Sequence, residues 1–250
     1  MRINWKKSII IILDIAIAVY LVFAVTSFNR PDDRNRLCTK VSINISDKVT
    51  DGFLSAGEIK KILLNKKIYP LNRSMHEVNI REIEDLLRHS AFVESAQCYK
   101  TEDGHVCINL RQRMPIIRIK SVNGDDYYVD DQGGIMPNTR YVSNLIIATG
   151  YIPQWYAKRI LKHIANFINH NDFWKNQIMQ INVLQDLSIE IVPRVGDHIV
   201  YLGRPTYILE KLNRLEKFYK YGLNEVGWNK YSYISLEFNN QIICKKKQNI

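Results

Sequence analysis

The segment Ser8 to Phe28, SIIIILDIAIAVYLVFAVTSF, constrains this chain more than any other, being apolar except for Asp14 and a few hydroxyl-bearing residues. About 20 such residues are what an α-helix needs to cross ~30 Å of hydrocarbon at ~1.5 Å rise per residue. The segment reads as a transmembrane helix over 8–28. Arg2, Lys6 and Lys7 crowd the short stretch 1–7, whereas Arg30, Arg34 and Arg36 are mixed with Asp32 and Asp33 in the connector 29–36. That asymmetry favours a cytoplasmic N-terminus, with everything after the span outside the cytoplasm. A cleaved signal peptide is the rival reading. It is disfavoured because the run exceeds the usual apolar region of about 7 to 15 residues and no small-residue cleavage site precedes Pro31. A lipoprotein signal is disfavoured by Arg36, which lies where small residues should precede Cys38. Asp14 reads either as a neutral acid inside the span or as a contact to another membrane helix, since a carboxylate is costly in hydrocarbon.

The remainder has ordinary globular composition, with 46% hydrophobic and 24% charged residues in 250, which excludes collagen-like, disulfide-dense and wholly disordered chains. Thirty-five Lys and Arg against 25 Asp and Glu give a formal charge of +10. Such a balance attracts anionic partners. The basic residues are dispersed and the folded part is expected beyond the membrane, so lipid headgroups or wall polymer are nearer candidates than nucleic acid.

Hydrophobic periodicity orders the first folded region. Val41, Ile43 and Ile45 alternate within Lys40 to Ile45 as in a half-buried strand. Ser55-Ala56-Gly57-Glu58 is a capping box opening a helix with Ile59, Ile62 and Leu63 on one face. Asn79-Ile80-Arg81-Glu82 starts a second helix, whose apolar face is Ile80, Ile83, Leu86 and Leu87. Two strand-like runs, Val93 to Lys100 and His105 to Arg113, flank a turn at Thr101-Glu102-Asp103-Gly104. The result is a β-α-α-β-β unit in which two helices cover one face of a three-stranded sheet.

Cys38, Cys98, Cys107 and Cys244 have no zinc spacing. If Lys100 lies opposite His105, Cys98 faces Cys107; a tighter Asp103-Gly104 turn leaves the pair diagonal on the same face. Two alternatives follow, a cross-strand disulfide between Cys98 and Cys107 or two reduced thiols sharing a face.

The order β-α-α-β-β, with Pro70-Leu71 between the helices, Ala91-Phe92-Val93-Glu94-Ser95-Ala96 entering the second strand and Arg113-Met114-Pro115 closing the third, resembles a POTRA domain over 37–114. One span, one such unit, then Tyr128-Val129-Asp130 and a glycine-containing turn is similar to the bacterial cell-division family FtsQ/DivIB. The resemblance continues through Val192-Pro193-Arg194-Val195-Gly196, Ile199 to Gly203, a helix and a final strand pair. It implies an α+β protein: a transmembrane helix, the POTRA domain, a mixed α/β domain with a mainly antiparallel sheet over 115–246, and a tail over 247–250.

Periodicity within 115–246 is readable independently. Asn123-Gly124 is a hairpin signal between Ile116 to Lys120 and Tyr127 to Val129. A helix is predicted over Gln154 to Ile168, followed by strands over Ile178 to Val183, Leu187 to Val192 and His198 to Leu202. Pro205 should open a helix carrying Ile208, Leu212, Leu215 and Tyr219 and ending at Gly222. The last strands, Tyr233 to Phe238 and Gln241 to Lys246, are joined by Asn239-Asn240.

A terminal strand with one neighbour offers unpaired N–H and C=O groups to another chain. Lys245, Lys246 and Lys247 at that end also read simply as gatekeepers against aggregation. The family resemblance implies that the last strand region recruits FtsB, the coiled-coil partner of FtsL, with septal wall synthases as indirect partners. The matching partner-binding residues are Phe238, Asn240, Ile242, Ile243, Cys244, Lys245 and Lys246. Expected location is the cytoplasmic (inner) membrane at the division septum, single-pass.

No GxSxG, HExxH, GxGxxG or P-loop occurs, and the six histidines show no ligand spacing, so the chain is read as a non-enzymatic scaffold without catalytic residues, metal or cofactor. Asp125, Asp126, Asp130 and Asp131 are dense enough for a cation but flank turns where solvated acids are common. The alternatives are a POTRA-bearing envelope assembly factor or chaperone and, from another class, a cell-wall-acting enzyme.

Overall fold

The computed structural model describes residues 5–27, 36–46, 54–138 and 145–247. The N-terminal charges Arg2, Lys6 and Lys7, nearly all of the connector 29–36 and the tail 248–250 lie outside the described residues or side chains. An α-helix runs from Trp5 to Ser27. Its described side chains are Trp5 and residues 9–24, and among the described residues no helix is long and apolar enough to cross a membrane. The expected span over 8–28 is not found among the described residues, and its ends, Ser8 and 25–28, lie outside the described side chains.

Contacts divide the chain into two compact units, one of Met1–Ile45, Ala56–Leu87 and Ala96–Leu110, the other of Ser46–Ser55, Arg88–Ser95 and Arg111–Ile250. In the first, β1 (Lys40–Ile45), helices Ala56–Asn65 and Ile80–Arg88, β2 (Val93–Lys100) and β3 (His105–Gln112) follow the expected order. The sheet order is β1-β3-β2, with β1 parallel to β3. Parallel strands need a crossover, and the two helices supply it. Ile59, Leu63, Ile83 and Leu87 bury their faces with Ala96, Val106, Ile108 and Leu110 from the sheet. The second helix starts where Asn79 Oδ1 accepts from the Glu82 N–H at 3.3 Å, an N-cap that satisfies one orphan donor.

The β2–β3 turn corrects the cysteine reading. Thr101, not Lys100, meets His105, donating its N–H to the His105 carbonyl at 2.9 Å. A one-residue offset reverses the face of every side chain. Cys98 accordingly shares the buried face with Ala96, while Cys107 alternates outward from buried Val106 and Ile108. No disulfide joins any of the four cysteines among the described residues.

The second unit is built on a nine-stranded sheet. Its strands are β4 (Pro115–Ser121), β5 (Asp126–Asp130), β6 (Ile135–Pro137), β7 (Ile146–Gly150), β8 (Ile178–Val183), β9 (Ile189–Pro193), β10 (Ile199–Gly203), β11 (Tyr231–Ser235) and β12 (Ile243–Lys246), in the order β12-β11-β10-β9-β8-β7-β4-β5-β6. The β4–β7, β7–β8 and β10–β11 pairs are parallel and the other five pairs antiparallel, so the sheet is mixed but mainly antiparallel, as expected. The central strand β7 was unexpected: its short run Ile146-Ile147-Ala148 lacks polar alternation because helices and sheet neighbours bury it. Asn123-Gly124 does form the β4–β5 turn, with Gly124 at φ +93°.

One face of the sheet is covered by helical segments. Gln154–Tyr156, the π-helical turn Ala157–Leu161 and Lys162–Asn169 form a continuous segment, followed by the unexpected short helix Asp172–Gln177. The later helix begins at Ile208, not Pro205, and runs to Phe218. It passes Gly222 through a π-helical turn, Tyr219–Leu223, and ends at Gly227, whose φ is +92°. Burying Tyr219 and Leu223 on the core side outweighs the propensity cost of Gly222. Leu161, Ile168, Trp174, Leu212, Leu215 and Tyr219 pack on Ala148, Ile181, Ile191, Val200 and Ile234.

Candidate functional site: the free edge of the nine-stranded sheet

Strand β12 ends the sheet, with β11 as its neighbour among the described strands. The register pairs Ser235 with Ile243, Ile234 with Cys244, Tyr233 with Lys245 and Tyr231 with Lys246, leaving Ser232 as a bulge. Just past the strand, Lys247 donates its N–H to the Lys230 carbonyl at 3.0 Å. Antiparallel backbone groups alternate in direction, so Ile243 and Lys245 turn theirs toward β11, whereas Cys244 and Lys246 turn theirs away from the sheet.

Side chains alternate in the complementary sense. Ile242 and Cys244 are half-buried against the core, and burial pushes the Cys244 thiol up from its usual value. Ile243 and Lys245 sit on the uncovered face, where Ile243 is 50% exposed. Beside them the rings of Tyr201 and Tyr233 stack at 6.1 Å and 23°. Tyr233 is pushed up to about 12, first by burial and then by Glu190, so its phenol stays uncharged at physiological pH. Glu190 accepts from Asn182 at 3.0 Å, Asn182 accepts from Thr149 at 3.2 Å, and Thr149 accepts from Gln180 at 2.8 Å. A polar ladder therefore crosses the middle of the uncovered face, and an aromatic and aliphatic strip borders β12.

The anticipated site residues divide between strand and loop. Ile243, Cys244, Lys245 and Lys246 form β12. Phe238 and Asn240 do not: β11 stops at Ser235, and the chain turns through an exposed Phe238 and a left-handed Asn240 at φ +61°. Arg214 caps the end of β11 by donating to the Leu236 carbonyl at 3.0 Å. Lys245 and Lys246 are exposed, as gatekeeping lysines are, whereas Lys247 pairs with Asp197 at 3.0 Å. Tyr201, Tyr233 and Glu190 escaped the sequence reading; the signal was their outward parity opposite buried Val200, Leu202 and Ile234.

The aspartates are engaged structurally. Arg118 donates to both Asp126 oxygens at 2.9 and 2.8 Å, and this bond holds the Asp126 carboxyl below its usual range. Asp130 accepts the N–H groups of Gln132 and Gly134. Among the described residues no group of three or more His, Cys, Asp and Glu could hold a metal ion.

A three-stranded unit with two crossover helices, followed by a mixed sheet with a lysine-lined free edge, is the architecture of a POTRA-bearing scaffold. Residues 36–111 match a POTRA-like domain, and residues 114–245 match the family model described as FtsQ/DivIB, C-terminal related. The chain belongs to the FtsQ/DivIB family. No curated protein matches it. FtsQ/DivIB and POTRA families are non-enzymatic scaffolds, and FtsQ/DivIB proteins sit in the division machinery.

Proposed function

We propose that this chain is a bitopic division scaffold whose edge strand β12 accepts a strand from an FtsB/FtsL-type coiled-coil protein and so links septal wall synthases to the membrane. The helix Trp5–Ser27 anchors it in the cytoplasmic membrane, with the N-terminus inside and both folded units outside. In support of the anchor, Ile9 to Leu13 and Val19 to Phe23 are each about half or more exposed, a sheath of apolar surface with no polar face to set against water. In support of strand addition, the outward backbone groups of Cys244 and Lys246 form a docking rail. Ile243 on β12 would give an added strand apolar contact on one face, beside the Tyr233 ring of β11.

The single observation that carries this reading is the position of β12 at the sheet edge. It is tested by co-purification from native membranes with a small coiled-coil partner. Proline at Lys246 removes an outward donor without removing a bond to β11. Lys246→Pro should lose the complex while the domain melts normally. If Lys246→Pro retains the partner at wild-type stoichiometry, strand addition at β12 is wrong.

A further inference from the structure

The POTRA-like unit carries a charge imbalance of its own. From Ile59 through His76 it has no Asp or Glu, whereas Lys60, Lys61, Lys66, Lys67 and Arg73 all fall within that run. The acids that bound the run in sequence are Glu58 and Glu77. All five cations are exposed, and among the described residues no ion pair engages any of them.

Their placement follows from the helix Ala56–Asn65. Ile59 and Leu63 bury one face, so at about 100° per residue Lys60, Lys61 and Leu64 share the opposite one. Leu64 comes four residues after Lys60 and three after Lys61, the spacing of neighbours on a helix surface, and it is 49% exposed. The helix then closes on two further cations. Ile68 donates its N–H to the Leu63 carbonyl at 3.0 Å and Lys67 donates to the Leu64 carbonyl at 2.9 Å, with Lys67 left-handed at φ +58°. That position ordinarily goes to glycine; here it holds a lysine next to the exposed leucine.

Contacts join these residues into one patch. The Lys60 ammonium sits over the Tyr69 ring, 5.6 Å from its centroid, and the Arg73 guanidinium donates to the Lys67 carbonyl. Cations at the end of a helix complement its dipole. The dipole does not account for Lys60 and Lys61, which lie earlier in the helix, or for a leucine exposed among ammonium groups.

We infer that this patch rests on an anionic phospholipid surface, with Leu64 entering the boundary between headgroups and acyl chains while the lysines and Arg73 meet phosphates. Basic side chains around an apolar one make up an interfacial surface, and a bilayer satisfies both parts at once. A dissolved polyanion would meet the charges and leave Leu64 in water. Proximity to a bilayer rests on the anchoring reading: residues 28–35 join the helix Trp5–Ser27 to Arg36, a reach of at most about 30 Å. The patch shares no residue with β12.

The experiment uses the full chain with nanodiscs of phosphatidylcholine alone or of an equimolar mixture of phosphatidylcholine and phosphatidylglycerol. Mass spectrometry reads the reactivity of each lysine toward a water-soluble N-hydroxysuccinimide ester. Lys60, Lys61, Lys66 and Lys67 should react about threefold or more slowly on the charged discs, and added salt should restore them. Leu64→Gln, at an exposed helical position, should reduce that protection about twofold or more while the melting temperature stays the same. Recovery of the chain on phosphatidylcholine discs reads the anchor by itself, so loss of the anchor and loss of the patch are separate outcomes. Equal lysine reactivity on the two kinds of disc overturns the assignment. Charged-disc protection that Leu64→Gln leaves unchanged also overturns it, in favour of a site for dissolved polyanions, which polyphosphate added without discs should then reproduce.

Discussion

Buried and bonded through Nε2 to the Tyr219 hydroxyl at 2.8 Å, His198 is set among Tyr219 and Trp228 where water does not reach. Burial holds the imidazole below its usual value near 6.5, offset in part by the Trp228 carbonyl and Asp197. The folded state therefore keeps it neutral, while the unfolded chain takes up a proton as pH falls through that range. Stability should be full above about pH 7 and decline on acidification below about 6.5. Urea unfolding at pH 7.5 and 5.5 should show this decline, and His198→Gln, which cannot titrate, should flatten it. A second residue-scale prediction concerns Gly150, at φ +99°, where a Cβ would strike the carbonyl oxygen of Val183. Gly150→Ala should lower the unfolding free energy by more than about 1 kcal/mol. Lys211→Met would leave two carbonyls without their ammonium donor and should cost about 1–3 kcal/mol, measured as a shift in the denaturation midpoint.

At the scale of elements, the POTRA-like unit was the most legible part. Its helices carry local amphipathic periodicity, and Asn79 announces the second one. Leu87→Ala, which empties a fully buried position, should destabilise the protein by about 2–5 kcal/mol by calorimetry. What escaped the sequence is non-local. The one-residue offset at Thr101 that separates Cys98 from Cys107 depends on turn geometry, and the short apolar strand β7 has no period that distinguishes it from a buried helical turn. Neither π-helical turn has a compositional mark, and Gly222 looked like a stop because its burial context could not be seen. The edge position of β12 was expected from chain order, but the aromatic strip beside it depends on β10 and β11 lying parallel, a pairing that separates Tyr201 from Tyr233 by a helix in sequence.

For the whole molecule, the proposed anchoring through the helix Trp5–Ser27, together with the +10 charge, would favour a membrane carrying anionic lipid. Deleting residues 1–28 should move the chain from the membrane fraction to the soluble one at moderate salt; persistence in membranes would locate the anchor elsewhere.

The β10–β11 junction is short, with Ile199, Val200 and Tyr201 paired to Tyr233, Ile234 and Ser235, and among the described strands it is what ties the terminal hairpin to the rest of the sheet. Few rungs mean cheap local opening. The hairpin should be the first part of the domain to exchange its amides for deuterium, and a strand zipped onto its outer margin would slow that exchange in β11 as well as β12. If a partner strand docks there as proposed, its occupancy of the margin would stiffen the hairpin's attachment several ångströms inward.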